Sequence, residues 1–166
     1  MEDNFANYNL KVYGKVERPI TYSLADLYSM TKQVQITEHF CIQGWTAIAE
    51  WAGVPMTEII SLCKPYREAR YVVFRSYQVT DGDEFYEVLD LELAIHSQTI
   101  LAYEMNGMAL TMPHGAPLRL RAETQLGYKM VKWIKSIEFV TDYGNIGMGQ
   151  GGHREDHMYY SRGAGI

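Results

Sequence analysis

Apolar and polar residues alternate over residues 9–16, the two-residue period of a strand with one buried face, until Arg18-Pro19 interrupts it. Ser23 with Asp26 three places on has the form of a capping box and predicts a short helix ending near Met30. Residues 34–40 read as a second strand, which delivers Cys41 at its end. Trp45, Ile48, Ala49 and Ala52 then follow helical spacing, and Gly53-Val54-Pro55 stops that predicted helix. Thr57 is expected to cap a further helix over 58–63, with Ile59, Ile60 and Leu62 facing inward.

The β-branched and aromatic run at 71–76 predicts a strand, Asp81-Gly82-Asp83 a turn, and 89–94 a short helix. Strands are expected at 100–104, running into an Asn106-Gly107 turn, and at 118–122 and 133–140. Helices early and hairpin-linked strands late indicate an α+β fold with more strands than helices. From Asp142 onward the chain becomes Gly-rich and polar, so 142–166 is read as a tail or flap on a single domain spanning 1–166.

Length and composition narrow the class. A chain of 166 residues buries a substantial core as one domain, and 47% hydrophobic with 21% charged residues is ordinary for a globular protein. A formal charge of −5 argues against non-specific nucleic-acid binding, which needs a basic face. With two cysteines only, a disulfide framework is not indicated; Cys63 reads as a small buried residue, and both thiols are expected to be free. No apolar run approaches a membrane span, and Met1-Glu2-Asp3-Asn4 is acidic where a secretory signal is basic then apolar. The sequence as given therefore reads as cytoplasmic, or as periplasmic or otherwise extracytoplasmic if a leader has been removed.

Two stretches carry candidate chemistry. In Thr37-Glu38-His39-Phe40-Cys41-Ile42-Gln43-Gly44-Trp45, a thiolate between an imidazole and aromatic rings suits a soft transition metal. Further on come His114-Gly115-Ala116-Pro117-Leu118-Arg119 and Gly127-Tyr128-Lys129-Met130-Val131-Lys132-Trp133, basic and punctuated by Gly and Pro, as an anion cradle requires. On residue type alone Lys129 and Lys132 also fit a solvated surface, and His114 also fits a loop histidine satisfied by its neighbours.

In their order and spacing these pieces, with Leu10-Lys11-Val12-Tyr13-Gly14-Lys15-Val16, Trp51-x-Gly53-Val54 and Asn106-Gly107, resemble the molybdopterin-binding oxidoreductase domain of the sulfite oxidase family, over roughly residues 8–160. The resemblance implies that family's fold, mixed strands with short helices, and molybdenum held by a pyranopterin dithiolene and one protein cysteine, here Cys41. It implies cofactor contacts from His39, Phe40, Ser76, His114, Arg119, Lys129, Met130, Val131 and Lys132. Arg119 offers a bidentate fork and the lysines point charges for the pterin phosphate, and Gln43 is expected to look toward the open side of the metal. The implied chemistry is oxygen-atom transfer on a small-molecule substrate, with electrons from a separate cytochrome, quinone or flavin carrier, since no heme or iron–sulfur cysteine set occurs.

Two departures qualify the resemblance. Sulfite-oxidising relatives carry basic residues just after the ligand cysteine, whereas Ile42-Gln43-Gly44-Trp45 has none, which favours a neutral S-oxide or N-oxide over sulfite. Larger relatives also touch the pterin from upstream residues, so the cofactor here is less enclosed or is covered by the 142–166 flap or a partner. Three rival readings are weaker. A module of the same fold without chemistry has Cys41 against it. Gly147-Met148-Gly149-Gln150-Gly151-Gly152 fits a dinucleotide fingerprint but leaves too little chain for the unit that follows. His153-x-x-x-His157 has the spacing of a zinc pair on one helix face, but lacks the glutamate directly after the first histidine that a zinc hydrolase uses.

Overall fold

The computed structural model describes residues 5–158 and 164–166. In chain order run β1 (Asn9–Gly14), β2 (Ile20–Ser23), α1 (Leu24–Ser29), β3 (Gln33–Phe40), β4 (Thr46–Pro55), α2 (Met56–Cys63), β5 (Tyr71–Thr80), β6 (Asp83–Asp90), α3 (Leu91–Ala94), β7 (Thr99–Met105), β8 (Met108–Ala109), β9 (Arg119–Ala122), β10 (Ile134–Val140) and α4 (His153–Met158). Single 3-10 turns lie at Met112–His114 and Gly127–Lys129.

The strands form two sheets. One has the order β2-β1-β10-β5-β6, in which β1 and β10 are parallel and the other pairs antiparallel. The second has the order β3-β4-β7-β8, with β9 also pairing β7. The main core joins them: Leu10, Val12, Phe74, Ile137 and Phe139 of the first sheet pack with Val54, Leu101, Leu118 and Leu120 around the second, and α1 and α2 add Leu27, Met56 and Ile59. This mixture of sheets with short helices agrees with the α+β expectation.

Local sequence explains several elements. The Ser23 hydroxyl accepts from the Asp26 amide while the Asp26 carboxylate accepts from the Ser23 amide, so the capping box is present and starts α1. Asn106 and Gly107 both have positive φ, 52° and 73°, the backbone of a tight hairpin turn between β7 and β8.

Four expectations are corrected. Residues 46–55 form strand β4, not a helix: the apolar spacing from Trp45 to Ala52 fits both periods, and pairing with β3 and β7 decides it. A Cβ at Gly53 would collide with the Leu101 carbonyl, so glycine lets these backbones close. Thr57 does not cap α2, which begins at Met56 after Pro55 with no side-chain cap; Ile59 and Cys63 are its buried face, and Leu62 is exposed. Strand β6 has no counterpart in the periodicity because Phe85, Tyr86, Glu87, Val88 and Leu89 are all buried, giving a continuous run in place of alternation. The helices are also spread along the chain and not gathered at its start, with α3 and α4 in the second half.

The described part of the 142–166 segment runs along β6. The Val88 amide donates to the Gly151 carbonyl at 3.0 Å, and Glu87 and Gly152 form an isolated bridge. The last residues return beside the second sheet, where Leu126 donates to Ala164 and Ile166 to Thr124. Tyr159 and Tyr160 lie outside the described residues.

Candidate active site

Cys41 stands at the tip of the β3–β4 hairpin. Its amide donates to the Trp45 carbonyl at 3.0 Å, and the Gly44 amide donates to the Cys41 carbonyl at 2.9 Å, with Gly44 at a φ of 85° that only glycine takes readily. The thiol is partly exposed, and Gln43 is exposed on the same turn. Cys63, by contrast, is fully buried in α2, and burial pushes its thiol up to about 11, so it stays protonated and inert.

Alternation along β3 puts Gln35, Thr37 and His39 on the face opposite Val34, Ile36 and Glu38. There Gln35 donates to Glu123 at 2.9 Å, and Arg121 Nη1 lies 2.9 Å from His39 Nδ1. Two residues apart on β9, Arg119 and Arg121 both place their guanidinium groups over the Trp51 indole, at 4.8 and 4.3 Å. Arg121 donates to both Glu123 oxygens, at 2.9 and 2.6 Å. A guanidinium can only donate, so His39 Nδ1 is the acceptor and the proton of the neutral ring sits on Nε2.

Among the described residues Arg119 has no carboxylate bonded to it, and Glu123 acts on it only at a distance. Arg119 is 7% exposed, its Nη1 donates to the His114 carbonyl at 3.0 Å, and its buried Nε has no partner. Lys132 beside it donates to the Pro113 carbonyl at 3.0 Å and lies over the Trp133 ring at 4.4 Å. Burial, then Arg121, lowers the Arg119 guanidinium to about 9. Burial, then Arg119, pushes the Lys132 ammonium down. Burial, then Arg121 and Arg119, takes His39 down to about 4, so that the ring is neutral at physiological pH. Burial acts first on all three groups, and the neighbouring guanidinium charges add to it in the same direction.

Two glycines bring the loops together. A Cβ at Gly115, whose φ is 102°, would stand 2.9 Å from Lys132 Cγ and 3.1 Å from Arg119 Cβ, and one at Gly127 would run into the His39 ring. Trp133 holds a left-handed φ of 53°, rare for an aromatic residue, while its indole donates to the Met112 carbonyl at 2.8 Å and ties the two loops. His114 is exposed, its Nδ1 2.7 Å from the Thr111 hydroxyl. Phe40 is half-buried, its carbonyl facing Gly127.

Other sequence-predicted residues are placed differently. Lys129 is removed from the cradle: it is 1% exposed, and its ammonium donates to Glu87 at 2.7 Å and to Glu155. The reason is the 3-10 turn at Gly127–Lys129, which directs it inward toward β6 and α4. Ser76 is 1% exposed and donates to the Lys132 carbonyl at 2.7 Å while accepting from the Gln78 amide, so it orients Lys132 and offers no free hydroxyl. Met130 and Val131 are buried, leaving their backbones as the part that faces the loop; the Val131 carbonyl accepts from the Leu120 amide.

Trp51, Thr37, Arg121 and Glu123 were absent from the sequence-derived site. The signal was present in Arg119-x-Arg121-x-Glu123, three charges at the two-residue spacing of one strand face. Trp51 Nε1, Thr37 Oγ1 and Arg119 Nε are buried without hydrogen-bond partners. Such groups cost stability unless something completes them. A pterin with polar ring edges and a phosphate tail matches this set, so the residues present fit the cofactor.

Residues 1–145 match the family described as the oxidoreductase molybdopterin binding domain. The chain belongs to this family. It is 34% identical over 158 residues to the protein named "Putative protein-methionine-sulfoxide reductase subunit YedZ1" of Azospira oryzae, covering 95% of this chain and 56% of that one. It is 29% identical over 151 residues to the protein-methionine-sulfoxide reductase catalytic subunit MsrP of Campylobacter jejuni, covering 84% and 51%. The chain thus spans about half the length of the curated relatives it matches. The fold matches the sulfane dehydrogenase SoxCD of Paracoccus pantotrophus with a TM-score of 0.76 at 21% identity, covering 86% of this chain and 40% of that one.

Proposed function

We propose that this molybdopterin-binding domain catalyses oxygen-atom transfer, reducing a small neutral S-oxide or N-oxide in preference to oxidising sulfite. The observation that carries the reading is the pair Arg119 and Lys132, without a bonded carboxylate among the described residues and accompanied by partnerless buried polar groups, together with a 42–45 turn that carries no charge. Bound there, the molybdenum–pyranopterin group supplies a two-electron redox centre with an exchangeable oxygen position.

The protein's own residues do the rest. Cys41 provides the thiolate ligand from a turn that keeps one side open. Arg119 and Lys132 would pair with the pterin phosphate, and His39, neutral with its proton on Nε2, would donate to the bound pterin. Gln43 presents an amide to the substrate oxygen. A dianion entering a partly desolvated site needs a paired charge. The 42–45 turn supplies none, which supports a neutral substrate. The curated relatives are named subunits of methionine-sulfoxide reductases, consistent with an S-oxide substrate and with electrons delivered by a separate partner protein.

The test is purification from a host that makes molybdopterin, followed by metal and pterin analysis and turnover with a reduced dye. About one molybdenum per chain, S-oxide reduction, and loss of both metal and turnover in Cys41→Ser are expected. Sulfite oxidation with kcat/KM near about 10⁴ M⁻¹s⁻¹ would overturn the substrate assignment. A folded chain free of pterin would favour the module without chemistry.

A further inference from the structure

The histidine pair in α4 takes no part in the site above, yet the fold gives it partners. The His153 and His157 rings lie 4.6 Å apart between centroids. Each faces an aspartate of the turn between β5 and β6: His153 Nε2 is 3.8 Å from Asp81 Oδ2, and His157 Nε2 is 3.6 Å from Asp83 Oδ2. Hydrogen bonds end near about 3.2 Å, so neither pair is bonded directly. Two ligands each about 2.1 Å from one ion stand roughly 3.4 Å apart at a tetrahedral angle, and further apart as the angle opens. The observed separations fall in that range.

A second observation points the same way. His153 is 2% exposed, and its Nε2 is buried without any hydrogen-bond partner. A buried ring nitrogen with nothing to bond is costly, and here it lines a cleft of about 340 Å³ together with His157 and Asp83. Arg75, which lines this cleft, is committed to Glu84 and Glu138 at 3.1 and 2.9 Å.

We propose that His153, His157, Asp81 and Asp83 bind one divalent transition-metal ion of the zinc type, which fastens α4 to the β5–β6 turn. Two imidazoles and two carboxylates give a charge-neutral four-coordinate set with zinc, whereas magnesium and calcium prefer more oxygen ligands. As the structure stands, no group of three or more His, Cys, Asp or Glu side chains among the described residues is placed to hold a metal ion, so the set must draw together on binding. The Asp81 and Asp83 side chains are 71% and 69% exposed, so solvent leaves them room to turn toward the two imidazoles. The site is structural, with all four positions filled by protein.

The ion's effect reaches the cofactor loop through the same helix. Between the histidines, Glu155 holds Lys129, and Asp156 accepts from the Tyr86 hydroxyl at 2.6 Å and from the Met148 and Gln150 amides. Anchoring α4 therefore fixes the Gly127–Lys129 turn that packs on His39.

The experiment uses the full chain, stripped with a chelator and titrated with Zn(II) by calorimetry and with Co(II) by visible absorption. One ion per chain is expected, with a tetrahedral Co(II) spectrum that lacks thiolate charge-transfer bands. Affinity should fall at least about tenfold in His157→Ala and in Asp83→Asn, and stay unchanged in Cys41→Ser. Both weakened variants alter side chains open to solvent, and circular dichroism checks that they remain folded. Absent uptake, uptake that survives both substitutions, or uptake lost in Cys41→Ser would each reject the site. Zn(II) should also slow amide exchange in α4; exchange there that ignores the ion rejects the clamp.

Discussion

Lys129 and Lys132 lie three residues apart in one loop, and Arg119 and Arg121 two apart on one strand face, yet each pair is split. Lys129 meets Glu87 and Glu155 in the interior, and Arg121 meets Glu123, whereas among the described residues Lys132 and Arg119 find backbone carbonyls and tryptophan rings but no bonded carboxylate. Burial does not separate the two kinds, because Arg119 and Arg121 are both buried. The counterion does. A cation whose charge is answered within the protein holds elements together, and a buried cation left unanswered is stable only if an external anion completes it.

That contrast is most strongly exposed by Lys129→Met, which strands two carboxylates in the interior. A loss of about 3–5 kcal/mol in urea denaturation is expected. Burial already pushes Glu87 well above the ordinary carboxylate range against the pull of Lys129, so protonation should absorb part of the damage at low pH and the deficit should grow as pH rises. A loss under about 1 kcal/mol would erase the distinction between the two lysines.

Arg119→Met removes an unanswered cation and leaves no buried acid behind. Its stability should change by no more than about 1 kcal/mol while pterin content after purification falls at least about tenfold. Lys132→Ala should lower occupancy less, since its side chain is nearer solvent, and in both variants turnover per bound molybdenum should persist. Unchanged pterin content in the two would place the anion elsewhere.

Cys63→Ala serves as the contrast to Cys41→Ser. It opens a small cavity in α2 and should cost about 1 kcal/mol with activity per metal intact. Loss of metal in this variant would reverse the roles of the two thiols.

The smallest effect concerns His39. Below pH 6.5 the unfolded chain takes up a proton on this ring, whereas the folded chain resists until about pH 4. The native state thus binds fewer protons in that window, and the stability His39 contributes is complete above pH 6.5 and lost as pH falls toward 4. His39→Gln should flatten the rise in stability with pH between those limits, measured as the difference from wild type at each pH. An identical pH slope would show that the ring is not held neutral by its burial and by Arg121 and Arg119.

Short windows of sequence were enough wherever the information is local. The Ser23–Asp26 box, the alternation of β1, the β-branched run of β5 and the Asn106-Gly107 turn each encode their own backbone, and Cys41 is visibly placed at a strand end. The ordered motifs also carried the family. Where one window satisfies two periods, as from Trp45 to Ala52, or where both faces are buried, as in β6, local pattern has no vote, and pairing with distant strands chooses the element. The fate of each cation lies further still from local reach. Lys129 is answered by Glu87, 42 residues before it, and by Glu155, 26 residues after it, and nothing in the basic 127–132 stretch distinguishes it from Lys132. Sequence determined which residues can bear charge near Cys41; only the tertiary structure decided which charges were left over, because neutralisation depends on distances between residues that the chain brings together last.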